Sequence, residues 1–184
     1  MLARALIGMV LVRDAPDGLT AARIVETEAY PPGDPASHAF RRQTPRNRVM
    51  FSEKGRAYVY LGYGVSWLVN VSSEAEGVGA AALIRAAEPV AGLELMRARR
   101  GRERATELMS GPGKLCAAMA IDRSLDGVDL CASGPLWLSA ACGRPPVLDV
   151  SIRIGITRAA EAPLRFIERG SRFLSGPARL NRPA

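Results

Sequence analysis

An α+β fold with a mostly antiparallel sheet follows from three observations in the sequence. Strand-like runs come first, two helix-periodic segments follow, and strand-like runs return at the end, so strands and helices are segregated instead of alternating. Two of the runs are joined by a glycine-flanked tip that permits a tight hairpin. The 184 residues, 48% hydrophobic and 23% charged, fit one globular domain spanning 1–184 and are neither disordered nor membrane-like in composition.

In order along the chain, Ala5 to Val12 is a short apolar stretch and Asp17-Gly18 a turn, after which Thr20 to Tyr30 alternates as a strand. Strict alternation puts Ile24, Glu26, Glu28 and Tyr30 on one face and Arg23, Val25, Thr27 and Ala29 on the other. Two carboxylates beside an aromatic are unusual for a solvent face. Pro31-Pro32-Gly33-Asp34-Pro35 stops the strand and opens a loop carrying His38. Phe40 to Arg56 is an irregular basic segment. Strands are predicted for Ala57 to Leu61, Val65 to Ser72 and Ala80 to Ala87, the first two joined through Gly62-Tyr63-Gly64, which leaves the Tyr63 ring projecting from the tip. A helix is predicted from Pro89 to about Arg100, because proline is tolerated in a first turn and Val90, Leu93 and Met96 recur on one face. Ser110-Gly111-Pro112-Gly113-Lys114 leads into a second helix through Ile121, and strands follow at Pro135 to Ser139, Val147 to Gly155 and Pro163 to Arg169.

Charge narrows the partner. Twenty-three arginines and two lysines, Lys54 and Lys114, against eighteen acidic residues give +7, which favours a polyanion, nucleic acid before an anionic membrane surface. The excess lies mostly in residues 91–184, with fifteen basic and nine acidic groups; the first 90 hold ten and nine. One histidine and three cysteines, Cys116, Cys131 and Cys142, with no close pair, argue against a zinc site, so no metal or other cofactor is expected. The cysteines are expected to be small core residues in a reducing compartment. The N-terminus has no signal-peptide pattern, and a cytoplasmic, nucleoid-associated protein is expected. A phosphate-binding loop is excluded around Gly113-Lys114, since Leu108 and Leu115 stand where it needs glycine and a hydroxyl residue.

All four tyrosines, Tyr30, Tyr58, Tyr60 and Tyr63, fall within 34 residues that also hold His38. Cross-strand packing accounts for Tyr58 alone. The whole cluster, with a carboxylate beside it, is what a pocket for a flat, electron-poor ring requires.

Several motifs in order carry a resemblance: Arg23-Ile24-Val25-Glu26-Thr27-Glu28-Ala29-Tyr30, Ser37-His38, Gln43-Thr44-Pro45-Arg46-Asn47-Arg48, Tyr58-Val59-Tyr60-Leu61-Gly62-Tyr63-Gly64, Leu83-Ile84-Arg85-Ala86-Ala87-Glu88-Pro89 and Ser110-Gly111-Pro112-Gly113-Lys114-Leu115. Over Leu2 to about Arg172 the chain resembles the alkyladenine, or 3-methyladenine, family of DNA glycosylases. The resemblance implies a single domain built on a curved, open barrel-like sheet with surrounding helices and a protruding β-hairpin. It implies a monofunctional enzyme that flips damaged purines out of double-stranded DNA and hydrolyses the N-glycosidic bond, without cofactor or membrane and as a monomer. Glu28 would activate water and offset the charge developing on the sugar. Glu26 would be structural. Tyr30, His38 and Tyr60 would stack around the flipped purine, Asn70 would exclude guanine through its exocyclic amino group, Tyr63 would fill the vacated space in the duplex, and Arg85 would lie near the DNA backbone. Neither lysine matches a catalytic one, so no lyase step is expected. The N-terminal extension common in relatives is expected to be absent, and Val65-Ser66 after the hairpin tip stands where some members have bulkier residues. A non-catalytic nucleic-acid-binding module and a hydrolase of free nucleosides are the competing readings.

Overall fold

Alternating sequence becomes a continuous antiparallel sheet in the computed structural model, which describes residues 1–140 and 145–181. The strands are β1 (Val10–Ala15), β2 (Gly18–Tyr30), β3 (Ala57–Gly62), β4 (Ser66–Ser72), β5 (Ala81–Ala91), β6 (Leu136–Ser139), β7 (Leu148–Ser151) and β8 (Arg165–Glu168). They run β3-β4-β5-β2-β1-β6, and β8 joins the far end of β2 and pairs in turn with β7. The sheet curls into an antiparallel half-barrel, an α+β domain as predicted.

Strand β2 is the spine. It pairs with β5 along almost its whole length, while its other edge pairs first with β1 and then, at Glu26–Glu28, with β8. Both glutamates are therefore hydrogen-bonded through their backbones on two sides, far from any strand edge.

The alternation read from the sequence slips once within β2. The ladder to β5 passes from Ile24 to Glu26 on β2 and then from Ala86 to Ile84 on β5, leaving Val25 and Arg85 each without a partner in a local bulge that shifts the parity of β2 by one residue. Ile24 consequently packs with Ala22 and Ala29 in the main core, and Val25 packs with Ala86 and Phe173 in a separate cluster on the side of the glutamates. Ile24 thus does not share the face of Glu26 and Glu28.

The main core lies between the sheet and helices α1 (Leu2–Ala5), α2 (Leu93–Arg100), α3 (Ala105–Leu108) and α4 (Pro112–Ala118), filled by Leu6, Leu11, Ile84, Met96, Leu115, Met119 and their neighbours. The predicted helix from Pro89 begins later. Pro89 is still in β5, opposite Ala22 beside a second register shift, where its missing N–H is tolerated. The chain turns at Gly92, φ +74°, where a Cβ would come within 2.5 Å of the Leu19 carbonyl oxygen. Only then does α2 start. Its basic end is largely engaged within the protein: Arg97 bonds Glu94, Arg99 bonds Asp17 and Arg100 bonds the Leu108 carbonyl.

Cys116 is buried as expected, whereas Cys131 is exposed beside Gly55 and is not a core residue. Cys142 lies outside the described residues. Strand β7 ends at Ser151, four residues short of the predicted Gly155. The residues released from it form an irregular segment, 152–162, that returns across the end of β2.

Candidate active site

The second face of the sheet carries a pocket of about 380 Å³, within the size range of small-molecule sites. Tyr30, His38, Tyr60, Tyr63, Asn70 and Arg85 all line it. Regular pairing of β3 with β4 builds one side of it, because Tyr58 and Tyr60 fall two apart on one face and Asn70 stands directly opposite Tyr58, while β2 and β5 bring Tyr30 and Arg85 and the loop after β2 brings His38. The two tyrosine rings stack at 5.2 Å, and His38 meets Tyr60 edge-on at 4.6 Å. Asn70 is buried and donates from Nδ2 to the Tyr58 carbonyl at 3.1 Å, which fixes its amide against the sheet.

The loop bearing His38 is pinned by Asn47, which donates to the His38 and Arg42 carbonyls while its own carbonyl oxygen accepts from Thr44. His38 Nδ1 lies 3.0 Å from the Tyr58 hydroxyl. Burial, and after it the nearby Arg46 guanidinium, holds the imidazole below its ordinary value and so favours the neutral ring. Burial, with Tyr63 adding to it, pushes the Tyr60 phenol up to about 12. The walls are thus uncharged aromatic surfaces at neutral pH. Arg46 sits over the Tyr60 ring at 5.7 Å, at the same pocket.

Glu28 lies behind this wall, 0% exposed. The Tyr30 hydroxyl donates to its Oε2 at 3.0 Å, the backbone N–H of Ile154 donates to Oε1 at 2.7 Å, and an Arg85 terminal nitrogen lies 3.3 Å from Oε1. Tyr30, Arg85 and Ile154 are themselves pocket-lining residues, so the carboxylate is held by the groups that face the cavity. Burial raises the Tyr30 phenol, and the adjacent Glu28 carboxylate raises it further, so it stays a donor.

Glu26, also 0% exposed, is saturated from the other direction. Its Oε1 accepts from Arg85 Nε at 2.9 Å, Arg165 Nε at 2.7 Å and Ser175 Oγ at 2.7 Å, and its Oε2 accepts from Ser175 N at 2.6 Å. Burial acts to raise this carboxyl, but Arg165 and then Arg85 outweigh it and hold it below its ordinary value. Arg85, 7% exposed, bridges the two glutamates. Two carboxylates and two guanidiniums thus form one neutral, buried network in which Glu26 fixes Arg85 and Arg85 braces Glu28.

Tyr63 stands at the hairpin tip, 88% exposed and in the left-handed region at φ +51°. A bulky side chain there costs roughly 1–2 kcal/mol. Strain of this kind collects at functional positions. Leu61 and Val65 beside it are also exposed, which gives the tip an apolar character.

Several contributors have no side-chain signature in the sequence. Ile154 acts through its backbone N–H, and Ser175 reaches Glu26 across 149 residues of chain. Among the described residues no helix is long and apolar enough to cross a membrane.

Comparison with known proteins agrees with the chemistry of this pocket. A family model described as methylpurine-DNA glycosylase matches residues 1–172. A protein of Mesorhizobium japonicum named "Putative 3-methyladenine DNA glycosylase" is 58% identical over 179 residues, covering 97% of this chain and 86% of the relative. Proteins of the same name from Paraburkholderia phytofirmans and Methanoculleus marisnigri are 50% and 49% identical, covering 97% and 94% of this chain and 84% and 91% of theirs.

Proposed function

Since the chain belongs to the methylpurine-DNA glycosylase family and is a DNA glycosylase acting in base excision repair, we propose that its pocket receives a damaged purine flipped from duplex DNA and that Glu28 drives hydrolysis of the N-glycosidic bond. The observation that carries this reading is a fully buried carboxylate attached, through Tyr30, Arg85 and Ile154, to the wall of an aromatic cavity.

Departure of the base leaves positive charge on the deoxyribose. A fixed carboxylate offsets that charge and takes the proton of the attacking water, two tasks for one group. Tyr30 on one side and His38 with Tyr60 on the other supply ring faces for the purine, and a neutral His38 avoids repelling a cationic alkylpurine. Asn70, immobilised by its bond to Tyr58, presents a hard boundary to the exocyclic amino group of normal guanine. Arg85 lines the pocket wall beside the flipped nucleotide while its Nε and one terminal nitrogen engage Glu26 and Glu28 and its other terminal nitrogen donates to Ser175 Oγ. Tyr63 enters the duplex and replaces the extruded base, with Leu61 and Val65 as apolar neighbours. Both lysines are exposed, and the chain works as a monomer without an imine step.

The test is release of free base from duplexes carrying methylated purine, hypoxanthine or ethenoadenine, read by alkaline cleavage at the abasic site. Absence of base release from all three would overturn the reading.

A further inference from the structure

We propose that Arg153 and Asp34 form a clasp that positions Glu28 for reaction, acting through the 152–162 segment without touching substrate. The inference rests on the role of Glu28 given above. The Arg153 guanidinium is fully buried and forms a two-pronged ion pair with the Asp34 carboxylate, itself almost wholly buried. Such fork-to-carboxylate pairs fix direction as well as distance. The same guanidinium donates to the Ala29 carbonyl at 3.0 Å and to the Ala159 carbonyl at 3.4 Å, and lies 4.7 Å over the Tyr30 ring.

These partners are spread over three separate pieces of chain. Ala29 sits between Glu28 and Tyr30, Asp34 begins the loop that leads to His38, and Ala159, with φ +45°, is a strained point of the 152–162 segment. The residue after Arg153 is Ile154, whose N–H meets Glu28 at 2.7 Å. Arg153 therefore anchors, from a single group, the donor to Glu28 and the back of the ring that also donates to Glu28. Lysine cannot reproduce this, since a single ammonium cannot span a carboxylate and two carbonyls in a fixed plane.

The test compares Arg153→Lys, Asp34→Asn and the double variant Asp34→Asn with Arg153→Met, which leaves no buried charge unpaired. Circular dichroism checks folding. Each is expected to slow single-turnover base release about 10- to 100-fold, as small misplacements of reacting groups do, while the Kd for a duplex with a reduced abasic site changes less than threefold. The double variant is expected to fall no further than the singles. Release within twofold of wild type, or a loss of binding that parallels the loss of rate, would overturn the clasp. Glu28→Gln is run alongside: an active Glu28→Gln would overturn the reading of Glu28 itself, whereas an inactive one beside fully active clasp variants would overturn the clasp alone.

Discussion

The Tyr63 hydroxyl donates to the Gly155 carbonyl at 2.8 Å, joining the hairpin tip to the segment that also supplies the Ile154 N–H to Glu28. The most exposed aromatic of the site is thus tethered, through one intervening peptide, to the donor on its most buried carboxylate.

If Tyr63 fills the space left by an extruded base, Tyr63→Ala should slow base release from fully paired duplexes at least about tenfold more than from duplexes already distorted by a mismatch, where flipping is easier. Tyr63→Phe keeps the ring and should retain most of the rate on both. Single-turnover measurements on matched and mismatched substrates decide it, and equal losses on both would refute the wedge.

Glu28→Gln should reduce base release by about a thousandfold or more, because the variant can neither accept the water proton nor offset sugar charge. Binding to damaged duplex should remain within a few fold. Gel-shift titration paired with base-release assays separates the two, and a variant that fails to bind would point to a structural role instead.

Glu26→Gln should destabilise the fold by about 3–5 kcal/mol, since it strands the buried Arg165 guanidinium and leaves the buried Arg85 with Glu28 alone. The pH dependence has a definite sign. Arg165 and Arg85 outweigh burial and depress the folded-state value of Glu26, so its stabilisation is present above the ordinary carboxylate value of 4.5 and is lost as pH falls through the lower, folded value. Thermal melts across the acid range should be steep for wild type and flatter for Glu26→Gln.

His38 is the only histidine in the chain, so its ring resonances can be followed by NMR without assignment. Burial first and Arg46 second depress its titration, which predicts a midpoint below 6.5 and a neutral ring at pH 7. The unfolded chain takes up this proton first as pH falls, so the fold loses stability from about 6.5 downward through the folded value. Arg46→Gln should move the midpoint partway back. A midpoint at or above 6.5 in wild type would contradict the burial of the ring.

Salt distinguishes a duplex-binding glycosylase from a hydrolase of free nucleosides. About four phosphate contacts would lower DNA affinity roughly a hundredfold between 50 and 200 mM salt, and base release at limiting enzyme should follow. A salt-independent rate would favour the nucleoside reading.

Much of the site was legible because it is built from side chains on regular strands. Tyr58 and Tyr60 needed only strict alternation and a hairpin, and β3 and β4 obey both; Asn70, which only the resemblance singled out, stands opposite Tyr58 in that pairing. Glu28 and Tyr30 were correctly placed on one face, yet Ile24 was not, because a bulge moves one residue out of register without any glycine or proline to mark it. Pro89 misled for the opposite reason: a residue that commonly opens helices can also sit in a strand at an irregular pair. In the sequence Arg153 is one of twenty-three arginines and carries no mark of its own. Its burial depends on Asp34, 119 residues away, and no local pattern encodes that pairing.

The Glu26–Ser175 contact also sets an order of events during synthesis. Its two ends are separated by 149 residues, so both glutamates emerge from the ribosome long before the serine that clamps one of them. Until then Glu26 lacks two of its four donors, and Arg165, which supplies a third, is itself ten residues short of the end of the clamp. A nascent chain halted before Ser175 would hold the aromatic strands, both glutamates and Arg85, but not the two donors that Ser175 supplies to Glu26.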